Sequence, residues 1–445
     1  MSVTDYWLGY NTETTATIVC RADATETVTV TCNGQTYTAE ADIGVRYGAV
    51  LITVTGLSPG TRYDYFINDA LGGSLKTKKT SGDLWIGYGS CWGQFPSPIV
   101  GRLYEQYDPD VFVFGGDFPY SDGPDHTGNG LATLSSSGSI AASKDLENYY
   151  KHHLKIRRYQ GILEMLHNCP TWYMPDDHEY IADNSFKGLA WYQAQVDPLG
   201  TQQDLDDAWA ACRSAFEMAC LGNPPKPTGV DADAIYFSQG FHNLDAFVVD
   251  PIQYRSDPAP ADNADKRMLG ATQEAWLTNG INNSPKPWKI WITGKSFFYT
   301  TNSDSYGVVN GQYGYFIELK RTLFAIKDAV GVFSVSGDQH IPSDEIMSAN
   351  ELGTGYPAMS SLCACPAGVY SHVSPSPTPL NYVRWRGYKS NSAGQRISRD
   401  QRVLGLFRVS DTRVDRYLFT LKGLVPRGYI EAGSNQVQYQ RARIG

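Results

Sequence analysis

The sequence predicts a layered α/β domain preceded by a small β-sandwich, and three observations predict it. Residues 1–80 consist of short Val-, Ile- and Thr-rich runs separated by polar turns. From 83 to 445, apolar runs of strand length alternate with longer runs of helical period. Five of those apolar runs end in polar or glycine-containing tips that carry a side chain able to bind a cation or an anion.

Taken in order, "ATIVCRA", "ETVTVTC" and "GAVLITVTGL" read as half-buried strands, because β-branched residues fit a pleated surface. In "GLSPGTRYDYFI" a Pro-Gly turn feeds a strand with aromatic residues at 63, 65 and 66. That motif resembles the turn before a late strand of fibronectin type III modules, so the sandwich is expected to be fibronectin- or immunoglobulin-like. The run "LGGSLKTKKTSG" reads as a linker ending near residue 82. Helices are expected at 97–107, about 144–168, about 202–221, 271–280 and about 313–329. In "LDDAWAACRSAFEMAC" the residues Leu205, Ala208, Trp209, Cys212, Phe216 and Cys220 recur on one helical face, which marks it as core. Residues 121–143 form a Gly/Ser-rich loop of a length that is usually functional or disordered.

The strand tips carry the chemistry. "LWIGYGSC" ends at Cys91, and "VFVFGGDFPY" delivers Asp117 and Tyr120. "CPTWYMPDDHE" delivers Asp176, Asp177, His178 and Glu179; "WKIWITGKS" reaches Lys295; "GVFSVSGDQH" delivers Asp338 and His340. In α/β sheets the carboxyl ends of strands form the common ligand crevice, so five segments converge on one pocket. Thiolate, carboxylate, phenolate and imidazole all ligate metals, and this set exceeds the needs of one tetrahedral ion. A bridging carboxylate would let two cations share it, an established clamp for phosphoryl chemistry. A thiolate with a phenolate suits ferric iron; an oxygen-lined second position suits calcium, manganese or magnesium.

Composition bounds the rest. A formal charge of −9 without a basic stripe argues against a nucleic-acid surface. No run of about 18 apolar residues exists to span a membrane. The first ten residues lack the basic and apolar regions of a secretory leader. Location is therefore left between an extracytoplasmic compartment, reached after removal of a leader, and the cytoplasm. The eight cysteines show no zinc-ribbon spacing, and Cys20 and Cys32 read as buried strand thiols more readily than as a bridge.

Together the motifs resemble the calcineurin-like metallophosphoesterases, most closely the PhoD-like (alkaline phosphatase D) branch. "GSC" at 89–91, "GGD" at 115–117, "DDHE" at 176–179 and "GDQH" at 337–340 carry the resemblance, with "DPIQYR" at 250–255 and "MLGATQEAWL" at 268–277. The resemblance implies a four-layer α-β-β-α sandwich behind the N-terminal module. It implies a ferric site of Cys91, Asp117, Tyr120 and His340, with Asp117 bridging, and a second divalent ion on Asp177 and Asp338. His178 would stand beside the phosphoryl group. Two positions depart from the family pattern: Ile252 stands where an arginine is common, and Lys295 stands in an amide-rich motif. Lys295 is expected either to contact substrate phosphate as a point charge or to leave the second site short of a ligand; Arg255 is a second expected substrate contact.

The activity so implied is hydrolysis of a small-molecule or lipid phosphate ester by a metal-activated hydroxide. Two alternatives stand beside it. One is a phospholipase, with Trp92 and Phe95 beside the first motif facing lipid. The other is a non-catalytic binder of a phosphorylated glycan or lipid.

Overall fold

The computed structural model describes residues 3–92, 98–120, 146–297, 305–306, 314–338, 342–347, 359–364, 383–386, 402–420, 423–434 and 437–438. His340, Phe95 and the 121–143 loop lie outside the described residues.

Seven strands between Val3 and Lys76 make two antiparallel sheets. One orders Val3–Asn11, Ala16–Ala22 and Ala49–Val54; the other orders Gln35–Ala41, Glu26–Cys32, Arg62–Ile67 and Ala70–Lys76. Alternation places Leu8, Ile18, Val28, Val30, Ile52, Val54, Tyr65 and Leu75 in one shared core. Cys20 and Cys32 are both buried there as free thiols. The stretch expected as a linker is half strand: Ala70–Lys76 pairs with Arg62–Ile67. Its glycines hid the strand, yet Gly72 and Gly73 are required by close packing. A Cβ on Gly72 would lie 2.4 Å from the Tyr65 ring, and one on Gly73 would lie 2.3 Å from the His167 carbonyl oxygen.

The remainder is built on two seven-stranded mixed sheets. The first runs Thr171–Met174, Val111–Gly115, Leu84–Gly89, then antiparallel Val403–Val409, Arg413–Thr420, Gly423–Glu431 and Val437–Gln438. The second runs Phe237–Gly240, Leu244–Val248, Trp288–Ile292, Val332–Ser336, Met359–Cys363, Ser343–Met347 and Val383–Arg386. Side chains from both sheets, including Ile86, Val113, Trp172, Val248, Ile290, Phe333 and Phe407, interleave in one apolar layer between them. The strands in the middle of each sheet are buried on both faces, which is why they read as unbroken apolar runs.

Helices cover the outer faces. Ile99–Tyr107 and Gln160–Asn168 pack on the first sheet through Ile99, Val100, Leu103, Ile162, Met165 and Leu166. Gly270–Asn283 and Phe316–Ala325 pack on the second through Leu277, Ile281, Leu319 and Leu323. The layers are thus α-β-β-α. Leu146–Arg157 and Gln202–Ala219 form a lateral cluster with Tyr180 and Ile252. The helix expected at 144–168 is therefore two helices, interrupted at Arg158 and Tyr159. A short helix, Leu189–Gln195, was not expected. Ile252 is fully buried in that lateral cluster, so an apolar side chain fits its surroundings.

The N-terminal sheets brace the first sheet directly. Tyr6 stacks on His167 with centroids 3.9 Å apart, and the Trp7 indole donates to the Leu221 carbonyl at 3.1 Å. Arg158 grips Asp5 through two nitrogens at 2.8 and 2.9 Å. The Thr171 hydroxyl donates to the Leu8 carbonyl at 2.8 Å, anchoring the strand that leads into "PDDHE".

Candidate metal centre

Five parallel strands point their carboxyl ends to one side of the double sheet, and the expected tips follow them. Val111–Gly115 lies between Leu84–Gly89 and Thr171–Met174 in the first sheet; Trp288–Ile292 and Val332–Ser336 are neighbours in the second. Hydrogen bonds continue beyond the strands. The Cys91 N–H donates to the Gly116 carbonyl at 3.2 Å, and the Trp92 N–H to the Asp117 carbonyl at 2.8 Å. The Gly337 N–H donates to the Gly294 carbonyl at 2.8 Å. The Tyr88 phenol ties the two sheets beneath the site, reaching the carbonyls of Gly115 at 3.2 Å and Thr293 at 3.0 Å.

Three of the delivered side chains sit on strained backbone. Cys91, Asp117 and Asp338 have φ of 56°, 53° and 67°. Non-glycine residues rarely adopt this left-handed conformation, and where they do the surroundings must hold them there. Gly116 precedes Asp117 with φ +87°, and a Cβ on it would lie 2.6 Å from the Asp176 Cβ. The chain turns sharply so that the Asp117 and Asp176 segments meet.

Glu179 holds that meeting point. Its buried carboxylate accepts from the backbone N–H of Asp176 at 2.7 Å and of Asp117 at 2.8 Å, and also from that of Phe118. One acid thus fixes the tips of two strands. The turn Asp177–Glu179 is closed by a capping box in which Asp176 and Glu179 bond each other's backbone. Burial pushes the Glu179 carboxyl up to about 7 against the pull of those N–H groups.

The ligand atoms of Asp117, Asp177 and His178 all lie within 4.8 Å of one another, and so do those of Asp117, Asp176, Asp177 and Asp338. Each of the first three carboxylates holds one oxygen and leaves another bare. Asp117 Oδ2 accepts from the Tyr120 hydroxyl at 3.2 Å. Asp177 Oδ2 accepts from the Asn184 N–H at 2.7 Å, and Asp176 Oδ1 from the Asp177 N–H at 2.9 Å. Asp117 Oδ1, Asp176 Oδ2 and Asp177 Oδ1 are buried with no hydrogen-bond partner. Buried carboxylate oxygens without donors are costly unless a cation faces them, so these residues fit a metal.

The electrostatics agree. Burial drives the Asp117 carboxyl well above the usual carboxylate range, and Cys91, Asp176, Asp177 and Glu179 push it further. Burial also raises Asp176; Lys295 opposes this, while Asp177 and Asp338 add to it. Asp177 is the exception: burial raises it, but Lys295, His178 and Arg255 outweigh that and hold it below the usual range. The Tyr120 phenol is raised by burial and by Asp117, Cys91, Asp338 and Asp177. Burial first, and like charge second, make these protons costly to lose.

Most of the expected residues meet. Asp117, Tyr120, Asp177, His178 and Asp338 share the site, with the His178 ring 4.0 Å from the Tyr120 ring between centroids. Cys91 is fully buried at its edge, packed on Cys363 and close enough to raise both Asp117 and Tyr120. Of the two expected substrate contacts, Lys295 lies inside the site and Arg255 behind it. Lys295 is fully buried among Asp176, Asp177 and Asp338 at 3.0, 3.0 and 3.1 Å, because an interior ammonium needs anions around it. Arg255 is buried behind the site; its Nε donates to the Ser185 carbonyl at 2.8 Å, and the Ser185 hydroxyl donates to the Asp177 carbonyl at 3.0 Å. Trp92 is buried against Phe112, Phe114 and Phe118, so it does not face lipid. Asp176 and Glu179 were not singled out as site residues. Their Asp-x-x-Glu spacing was the available signal, since it is that of a capping box.

A family described as PhoD-like phosphatase matches residues 86–352, well over half of the chain and the whole run from the strand before Cys91 past Asp338. Alkaline phosphatase D of Bacillus subtilis (strain 168) is 27% identical over 253 residues, which cover 52% of this chain and 41% of that protein. The chain thus matches less than half the length of that relative. A solved structure titled "Structure of PhoD" superposes with a TM-score of 0.70 at 15% identity, covering 97% of this chain and 92% of that one; it shows a shared fold. The chain belongs to the PhoD-like phosphatase family.

Proposed function

We propose that this chain is a metal-dependent phosphoric ester hydrolase. The observation that carries the reading is the meeting of Asp117, Asp177 and His178 around buried carboxylate oxygens that have no donor. Family membership and the printed name of the curated relative support the same reaction class.

Cys91, Asp117 and Tyr120 would hold ferric iron, with His340 as the expected fourth ligand; thiolate and phenolate together favour a strongly polarising ion. When bound, such an ion polarises phosphoryl oxygens and makes a water nucleophilic near neutrality. The protein does the rest. Glu179 keeps the Asp117 and Asp176 tips in register. Arg255 and Ser185 support the Asp177 turn from behind. His178 is buried against the Tyr120 ring and would give a proton to the departing alkoxide. In the balanced step a water oxygen bonds to phosphorus, the ester P–O bond breaks, the water loses a proton and the alcohol gains one. The substrate class is a small-molecule or lipid phosphate ester. Among the described residues no helix is long and apolar enough to cross a membrane.

Metal analysis and turnover of chromogenic phosphate mono- and diesters test the reading. Asp117→Asn is expected to lower metal content and turnover together by at least about 100-fold in rate while the protein stays folded. Full turnover in that variant would refute the role of Asp117. The iron assignment has its own check: the wild type should show a visible phenolate-to-metal band that Tyr120→Phe abolishes, and a colourless active enzyme would remove iron from the proposal.

A further inference from the structure

The second ion position, expected on Asp177 and Asp338, already contains a positive charge. Lys295 Nζ lies 3.0 Å from Asp176 Oδ1, 3.0 Å from Asp177 Oδ2 and 3.1 Å from Asp338 Oδ1. Its side chain is fully buried, so the ammonium has no solvated position to retreat to. We infer that Lys295 is the resident second cation of this centre and that the chain binds one metal ion where two positions exist.

Three features carry the inference, which rests on the reading of the site as a hydrolytic metal centre. The first is occupancy. Of the two groups of converging ligands, Asp117–Asp176–Asp177–Asp338 shares three carboxylates with Lys295, whereas Asp117–Asp177–His178 shares one. The lysine closes the position among Asp176, Asp177 and Asp338 and leaves the one expected on Cys91, Asp117 and Tyr120, where Asp117 Oδ1 still lacks a donor. The second is charge. A divalent ion entering among Asp176, Asp177 and Asp338 would lie against a trapped ammonium with which it cannot share an anion cheaply. The third is the local backbone. Gly294 lets the lysine tip approach, since a Cβ there would lie 2.7 Å from Asp176 Oδ2. The Gly337 N–H holds the Gly294 carbonyl at 2.8 Å, so the tips bearing Lys295 and Asp338 are locked together. The function of Lys295 is thus to neutralise and position the carboxylates that a second ion would otherwise organise.

The test is ion stoichiometry, measured by elemental analysis of the purified chain and by calorimetric titration of chelated protein with Fe3+, Ca2+, Mn2+ and Mg2+. The wild type is expected to hold one ion per chain. Lys295→Asn, which removes the charge and offers a neutral oxygen, should hold two and should gain melting temperature on adding a divalent ion, as the wild type with its first site filled does not. Lys295→Arg keeps the charge and should stay at one, guarding against a misfolded Asn variant. Two ions per wild-type chain, or one in a folded Lys295→Asn variant, would overturn the inference and leave the hydrolase reading intact. No bound ion in either protein under any supply would overturn both.

Discussion

At the scale of single residues, the candidate site depends on an acid whose carboxylate is taken up by backbone N–H groups. Glu179 serves three backbone N–H groups from two strand tips, and it does so with no exposed surface to substitute water. A buried N–H left without an acceptor costs about 1–3 kcal/mol. Glu179→Ala is therefore expected to lower unfolding free energy by about 3 kcal/mol or more, and to release the metal, because Asp117 and Asp176 lose their common anchor. Urea denaturation with elemental analysis checks both effects. A loss below about 1 kcal/mol with full metal content would show that the turn holds itself. The strained backbone at Cys91, Asp117 and Asp338 belongs to the same account: three left-handed residues at three strand ends persist because ladders, glycines and this acid hold them.

At the scale of elements, helix ends carry buried acids that link stability to pH. Glu318, in Phe316–Ala325, points its fully buried carboxylate at the start of Gly270–Asn283, accepting from the Leu269 N–H at 3.3 Å and from the Met268 N–H. Burial raises its carboxyl from 4.5 to about 7, against the pull of the Met268 N–H. The folded state therefore holds this proton more tightly than the unfolded chain. Its stabilising effect is complete below about pH 4.5 and is lost as pH rises through about 7, an amount of about 3 kcal/mol. Glu318→Gln lacks that titration. The stability difference between wild type and variant is expected to shift against the wild type by about 2–3 kcal/mol between pH 5 and pH 8. Denaturation curves at those pH values read it directly, and a constant difference would show that Glu318 is ionised throughout.

At the scale of the whole molecule, the two sheets matter more than any one strand. Asp117 and Asp177 come from the first sheet, Lys295 and Asp338 from the second, and the apolar layer between the sheets sets the distance across which they meet. Tyr88 spans that layer at the site, and the N-terminal sheets hold Thr171 and Leu221 from outside through Leu8 and Trp7. The strand tips and the alternation of strands with helices were legible in the chain, because doubly buried strands read as apolar runs and their polar ends stand out against them, while the four-layer order followed from the family resemblance. The strand Ala70–Lys76 was not legible, since glycines selected for close approach to Tyr65 and His167 look like linker composition. The break at Arg158 and Tyr159 was hidden too: the apolar period continues across it, and the turn is made by docking on Asp5 of the N-terminal sheet.

By itself the sequence determined which side chains stand at the strand tips and that they share one edge, because residue types are set by the chain and strand ends in such sheets lie together. The family resemblance marked Lys295 as an unusual residue for its motif. Only the tertiary structure decided what that lysine does. Its partners lie more than a hundred positions away in one direction and more than forty in the other. Whether an ammonium faces solvent, a phosphate or three carboxylates depends on which anions the packed sheets bring within 3.1 Å. Local spacing carries no record of that distance, and burial then makes the arrangement obligatory.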